Sequence, residues 1–190
     1  LGRIRRHRPD LVIPRPRVEA MVAAETLRYA NALTLHANLF IASGIPPGTL
    51  LARALEEKTA RSRNRMFRLL GLLYSPDDIE VARFAIDHGD ARARASATEY
   101  LDNLLSGDLR RRVMLLIEDM PLDERVRRAN VQFRTRRRDA EDTLAQLIHD
   151  EDQIVAAATI HLVSERGIWK LADDVEHALA HRDVRDWYVF

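Results

Sequence analysis

The stretch DARARASATEYLDNL, residues 90–104, decides how the rest of the chain is interpreted. Counted from Asp90, the small or apolar residues Ala93, Ala97 and Tyr100 follow three, seven and ten positions later. This spacing places them on one stripe of an α-helix, where they can press against a neighbouring helix. Asp90 stands just before the stripe, at a position where an aspartate can cap a helix. The stretch therefore predicts a capped amphipathic helix, with Leu101 buried on the inter-helix stripe beside Tyr100.

The same offsets recur elsewhere in the chain, from origins at Glu57, Asp123 and Asp152. The origins, Asp90 included, are 33, 33 and 29 residues apart. A period near 30 residues, built from helix pairs, is typical of an α-solenoid, in which each pair buries its face against the next. An irregular helical bundle is the alternative, because arginine and alanine are frequent enough to match the offsets by chance. The stripe residues are Ala60, Asn64 and Phe67; Val126, Asn130 and Phe133; and Val155, Thr159 and Leu162.

Outward from residue 90 the sequence predicts helix after helix, with connectors of one to three residues and no useful strand pattern. Ser75 and Pro76, followed by two aspartates, form a strong helix start. Short connectors indicate that neighbouring helices pack as antiparallel hairpins. The predicted fold is all-α, an α-solenoid of stacked antiparallel helix pairs with about nine helices. These helices are predicted at residues 17–43, 49–74, 76–88, 91–106, 108–119, 122–135, 139–150, 152–165 and 167–181.

Residues 1–16 are predicted to form a basic, proline-containing connector before a helical repeat domain at residues 17–190. Four arginines occur between residues 3 and 8, and Pro9, Pro14 and Pro16 prevent a continuous helix. We expect this connector to pack little on the helices. If a membrane segment preceded it, its arginines would suit the cytoplasmic surface.

Composition excludes several classes of protein. The chain has 190 residues and no cysteine, which excludes disulfide scaffolds, thiolate zinc sites and cysteine nucleophiles. The apolar runs at residues 69–74 and 113–117 fall short of the ~20 residues that a membrane helix needs. The net charge of +1 does not by itself indicate binding to polyanions.

Residues 90–97, followed by Leu101, resemble the second helix of a HEAT-like repeat. More narrowly, RMFRLLGLLY at residues 65–74 and ATEYLDNLL at residues 97–105 are similar to the soluble HEAT-repeat domain of bacterial NTP/NDP-exchange (ATP:ADP antiporter-like) and major-facilitator-like transporters. The resemblance covers roughly residues 50–165, and it departs from the repeat pattern where Asn130 and Arg134 replace apolar residues. It implies a cytoplasmic accessory domain of a membrane protein, without chemistry of its own.

Residues that carry catalytic or metal chemistry are sparse in this sequence. Asp173, His177 and His181 share one helix face and could hold a metal, yet no fourth ligand and no HExxH motif accompany them. Two prolines in the turn at residues 44–48 remove amide donors that a phosphate loop would need. We therefore expect no enzymatic activity, no cofactor and no metal.

Arginines supply the candidate binding surface. Counted from Arg127, Arg134 and Arg138 follow seven and eleven positions later, and this spacing predicts that the three share one helical face. Arg136 and Arg137 enlarge this basic patch. Guanidinium groups suit carboxylate and phosphate partners. The alternative interpretation is a solvated face, neutralised in part by acids at residues 139–142. A second candidate surface is the exposed side of the helix at residues 91–106, with Arg92, Ser96 and Glu99.

Two hypotheses of function follow. The first is a non-enzymatic interaction or regulatory module that binds a protein, or the membrane domain of its own parent chain, with an anionic surface as a further partner. The second is a DNA-binding HEAT-like protein, including a base-excision enzyme. Nucleic acid is the less favoured partner because the net charge is small and the arginines lack interleaved aromatic residues.

Overall fold

The computed structural model describes residues 13–46, 48–135 and 138–181. Within them the chain forms nine α-helices, one short 3-10 helix and no β-strand, which confirms the all-α prediction. The helices are α1 (Arg15–Phe40), α2 (Leu50–Leu73), α3 (Pro76–His88), α4 (Ala91–Leu104), α5 (Gly107–Ile117), α6 (Leu122–Phe133), α7 (Ala140–Ile148), α8 (Gln153–Glu165), the 3-10 helix (Trp169–Leu171) and α9 (Ala172–Ala180).

Local sequence signals explain several helix starts. The Ser75 hydroxyl accepts a hydrogen bond from the Asp78 amide, and Pro76 occupies the first turn of α3. Asp90 caps α4 by accepting a 2.8 Å bond from the amide of Ala93. Asp152 caps α8 in the same way, with 3.1 Å to the amide of Ile154. These caps satisfy backbone donors that a helix leaves free at its N-terminus.

The other two repeat origins do not begin helices. Asp123 lies in the first turn of α6, after the cap residue Pro121. Glu57 lies inside the continuous helix α2. The predicted stripe is buried in full only in α8, where Val155, Thr159 and Leu162 are all buried. Of the four predicted repeat origins, therefore, only Asp90 and Asp152 stand at the start of a helix.

Two predicted boundaries were wrong at the ends of the described chain. Helix α1 begins at Arg15, inside the predicted connector, and Arg15 donates a 3.0 Å bond to the Tyr74 hydroxyl. The predicted helix at 167–181 is divided, because Gly167 has a φ of 60° and a 3-10 turn precedes α9. The arginines at residues 3–8 lie outside the described residues.

The chain divides into two compact units, whereas the sequence predicted one domain at residues 17–190. Unit 1 comprises residues 1–30 and 59–134, and unit 2 comprises residues 31–58 and 135–190. In unit 1, α3 packs on α4, α4 on α5, and α5 on α6. Leu101 is fully buried, as its place beside the α4 stripe predicted, whereas Tyr100 is 39% exposed.

Unit 2 has an apolar core built from α7, α8, α9 and parts of α1 and α2. Helices α7 and α8 pack directly on each other, and α9 packs on α7. Leu39, Leu51, Leu55, Leu147 and Ile148 are among its fully buried side chains. Burial of such side chains stabilises the unit, since each contributes about 1.5–3 kcal/mol.

Candidate functional site

Unit 1 contains a surface groove of about 980 Å³ between the end of α4 and helices α5 and α6. We call it the arginine groove, because five of its lining residues are arginines. Two carboxylates, one glutamine, one glycine and three apolar residues complete the lining. The residues are Arg110, Arg111, Arg127, Arg128 and Arg134, with Asp102, Glu118, Gln132, Gly107, Met114, Leu115 and Val131.

Helix periodicity explains why these side chains share the groove. Arg111 and Met114 of α5, and Glu118 just after its end, follow one another at spacings of three and four positions, which places them on one side of the helix next to Arg110. Residues 113–117 of α5 are buried, so the exposed Arg110 and Arg111 supply most of the accessible part of this wall. Since α5 packs on α6, the groove lies where two such faces meet.

Helix α6 supplies the other wall and then ends abruptly. Arg127, Arg128, Val131 and Gln132 follow its groove-facing side. The helix stops at Phe133, because Arg134 adopts the left-handed conformation with φ 55° and ψ 33°. Arg134 thereby lines the groove from beyond the helix end.

Most arginines of the groove are paired with carboxylates of the same unit. The Arg110 guanidinium donates two hydrogen bonds, of 2.7 and 2.9 Å, to the Asp102 carboxylate. This interaction lowers the pKa of the Asp102 carboxyl. Arg128 donates to Glu124 at 2.7 Å and to Glu118 at 3.1 Å.

Two further arginines of the groove have acidic partners just outside it. Arg111 pairs with Asp108, and Arg127 pairs with Glu124. The side chains that pair in this way are held in place around the groove.

Arg134 differs from these four arginines. It is exposed, and within the described chain no ion pair or hydrogen bond of its guanidinium is found. Beside it, the Nε2 of Gln132 is buried without a hydrogen-bond partner among the described residues. Val131 is 78% exposed and presents apolar surface in the same groove. The site thus combines unused polar donors with an apolar surface.

The structure brings together only part of the predicted arginine face. Arg127 and Arg134 line the groove, whereas Arg138 is exposed and does not line it. The prediction of one continuous helical face was wrong, because α6 ends at Phe133 and residues beyond it leave the helix. Arg136 and Arg137 lie outside the described residues. Arg92, Ser96 and Glu99 are exposed on α4, and none of them lines the groove.

Sequence reasoning missed Arg110, Arg111 and Arg128. The run of arginines at residues 110–112 was a visible signal, and Arg110 and Arg111 lie four and three positions before Met114, which places both beside Met114 on the predicted helix. The short connector predicts that the two helices pair, but it does not predict which side of α5 faces α6, because that depends on the rotation of each helix about its axis.

The histidine pair predicted as a weak metal candidate does lie close together. The rings of His177 and His181 stack with centroids 4.1 Å apart, and His149 lies 5.6 Å from His177. The Nδ1 of His181 donates a 2.8 Å hydrogen bond to the backbone carbonyl oxygen of His177. Among the residues that the structure describes, no group of three or more ligating side chains is arranged to hold a metal ion.

Comparison with protein-family models, curated proteins and solved structures returns no match for this chain. Across the described helices, none combines the length and the apolar character that crossing a membrane requires.

Proposed function

We propose that this chain is a non-enzymatic, HEAT-like helical-repeat module whose arginine groove binds an acidic segment of a protein partner. The single observation that carries the proposal is the groove itself, whose lining combines five arginines with the exposed apolar side chain of Val131. The sequence resemblance described above supports a place for the module in the cytoplasmic part of a larger protein.

The lining favours recognition over catalysis. Its described residues include arginine, carboxylate, amide and apolar side chains, and no histidine, serine, threonine or lysine. Those residue types supply many nucleophiles and general bases, and the two carboxylates of the lining, Asp102 and Glu118, are paired with Arg110 and Arg128. Guanidinium groups instead suit the planar fork of a carboxylate, which they bind through two parallel hydrogen bonds.

The charges and the apolar surface together define the occupant. Four of the five arginines have acidic partners in unit 1, and Arg134 adds a positive charge without such a partner within the described residues, so an acidic segment is complementary in charge. Val131, which is 78% exposed, gives an apolar side chain of that segment a surface to contact, whereas Met114 and Leu115 of the lining are buried. The occupant we favour is therefore an amphipathic segment that carries both glutamates or aspartates and a large apolar residue.

Nucleic acid fits the groove less well. Asp102 and Glu118 line it, and acidic side chains repel a phosphate backbone. The described lining also contains no aromatic side chain on which a base could stack.

The test uses a synthetic helical peptide that carries glutamates and leucines at helical spacing, and a second peptide in which glutamine replaces glutamate. We expect the purified chain to bind the first and not the second, as measured by fluorescence anisotropy. Val131→Glu should weaken binding at least about tenfold, because it adds a negative charge to the groove. Val81→Glu is the matched control, since Val81 is also exposed, at 70%, on α3 and outside the groove.

Equal binding of the two peptides, or of wild type and Val131→Glu, would contradict the proposal. Tighter binding to duplex DNA than to the acidic peptide would favour the DNA-binding alternative.

A further inference from the structure

We infer that Arg134 is the specificity-determining residue of the arginine groove, and that its left-handed backbone holds a free guanidinium ready for a carboxylate of the partner. This inference rests on the proposed function and names the side chain that selects the partner.

The first observation is the backbone of Arg134. Its φ of 55° is the only positive φ among the described non-glycine residues. A side chain with a Cβ pays a steric penalty in this region, which glycine does not pay. The position that ends a helix in this conformation is most often glycine for that reason. An arginine there is less favourable for the fold than a glycine.

The second observation is the pairing of the other groove arginines. Arg110, Arg111, Arg127 and Arg128 each contact a carboxylate of unit 1. Their charges are in large part neutralised, and a partner would have to compete with those carboxylates. Arg134 has no such contact within the described residues. The positive charge and the N–H donors of its guanidinium are therefore available to a carboxylate of the partner.

Together these observations indicate that Arg134 serves binding of a partner and does not serve the stability of the fold. Strained backbone at a ligand-facing residue is typical of functional positions, where the surrounding structure maintains an unfavourable conformation. A residue selected for stability at this position would be glycine, which adopts the left-handed conformation without a steric penalty. Arginine pays that penalty, so Arg134 makes the folded state less stable than glycine would. Its contribution is therefore expected in the complex with the partner.

The experiment compares Arg134→Gly, Arg134→Lys and the control Arg138→Gly in the full chain, with the Glu/Leu peptide as the probe. Arg134→Gly should bind the peptide about tenfold or more weakly, because a charge-assisted bidentate contact is lost. It should also unfold at a higher urea concentration than wild type, because glycine removes the strain. Arg134→Lys should lose part of the affinity without this gain in stability. Arg138→Gly removes an exposed arginine outside the groove and should bind like wild type.

The outcomes separate the inference from the proposed function. If wild type does not bind the peptide, the proposed function fails and the inference fails with it. If wild type binds and Arg134→Gly binds equally well, the inference alone is overturned. A lower urea midpoint for Arg134→Gly would also overturn it, since Arg134 would then stabilise the fold.

Discussion

Asp87 illustrates how single charged residues are held in unit 1. It pairs with Arg63 of α2 and with Arg83 of its own helix, the latter at 3.1 Å. The Arg63 and Asp87 side chains are only 27% and 15% exposed, and burial lowers the pKa of Arg63. Removing one partner of a buried pair leaves the other charge uncompensated, which costs more than the pair contributes.

Because this pair is only partly buried, we expect Asp87→Asn to lower the free energy of unfolding by about 2 kcal/mol, less than the roughly 3–5 kcal/mol of a fully buried pair. The control is Glu80→Gln, because exposed Glu80 also pairs with Arg83, at 2.6 Å. That change should cost less than about 1 kcal/mol, as exposed pairs do. Urea unfolding of both variants measures the difference, and equal losses would show that Asp87 is not a buried partner.

His36 predicts a pH dependence of stability. Its ring packs on Phe40 with centroids 4.9 Å apart, and burial lowers its pKa below the ordinary value of 6.5, although nearby Glu56 partly opposes this shift. Below that value the unfolded chain takes up the proton more readily than the folded chain. Stability is therefore expected to fall as the pH is lowered from about 6.5 toward the folded pKa.

The measurement is the free energy of unfolding of wild type and His36→Gln between pH 8 and about pH 5. The wild-type curve should fall more steeply below about pH 6.5, with an added slope of at most about 1.4 kcal/mol per pH unit. His161→Gln, at an exposed position, is the matched control. Parallel curves for wild type and His36→Gln would refute this role of His36.

At the scale of elements, the connector between α3 and α4 depends on the absence of a side chain at Gly89. Its φ of −71° is open to any residue, so left-handed backbone is not the reason for glycine. A Cβ there would lie 2.4 Å from the Ala85 carbonyl oxygen and 2.8 Å from the Ala93 Cβ. The close approach of the two helices therefore leaves no room for a methyl group.

Gly89→Ala is expected to destabilise the chain by about 1–3 kcal/mol, as overpacking does. Gly48→Ala is the matched control, because nothing lies within 4 Å of the added Cβ. The control should stay within about 0.5 kcal/mol of wild type. Thermal or urea unfolding decides, and a neutral Gly89→Ala would mean that α3 and α4 can move apart at little cost.

At the scale of the whole molecule, the charge balance limits long-range attraction. The 30 basic residues are offset by 29 acidic ones, for a net charge of +1. A chain with this charge balance lacks the long-range positive potential that attracts polyanions non-specifically. Recognition by the arginine groove then depends on short-range contacts.

Binding to duplex DNA should accordingly be weak, with a log–log salt slope equivalent to no more than about two phosphate contacts. Titration at several salt concentrations measures this slope. A slope of several contacts, or release of damaged bases from alkylated DNA, would support the DNA-binding alternative.

Local signals in the sequence are enough to predict the helical fold class and several helix starts. Ser75, Asp90 and Asp152 cap helices as expected, because a cap is a hydrogen bond between residues two or three positions apart. The burial of Leu101 followed from helical periodicity, which is also local.

The candidate site, in contrast, depends on tertiary packing. The arginine groove forms where α5 packs on α6, and side chains of the two helices meet across it. Arg134 ends α6 without the glycine that would have marked a helix end in the sequence. That early end separates Arg138 from the groove, and the packing of α5 adds Arg110 and Arg111 to it. Adjacent helices were expected to pair, but the rotation of each helix about its axis and the residue at which α6 ends depend on packing, and the periodicity of one helix does not contain that information.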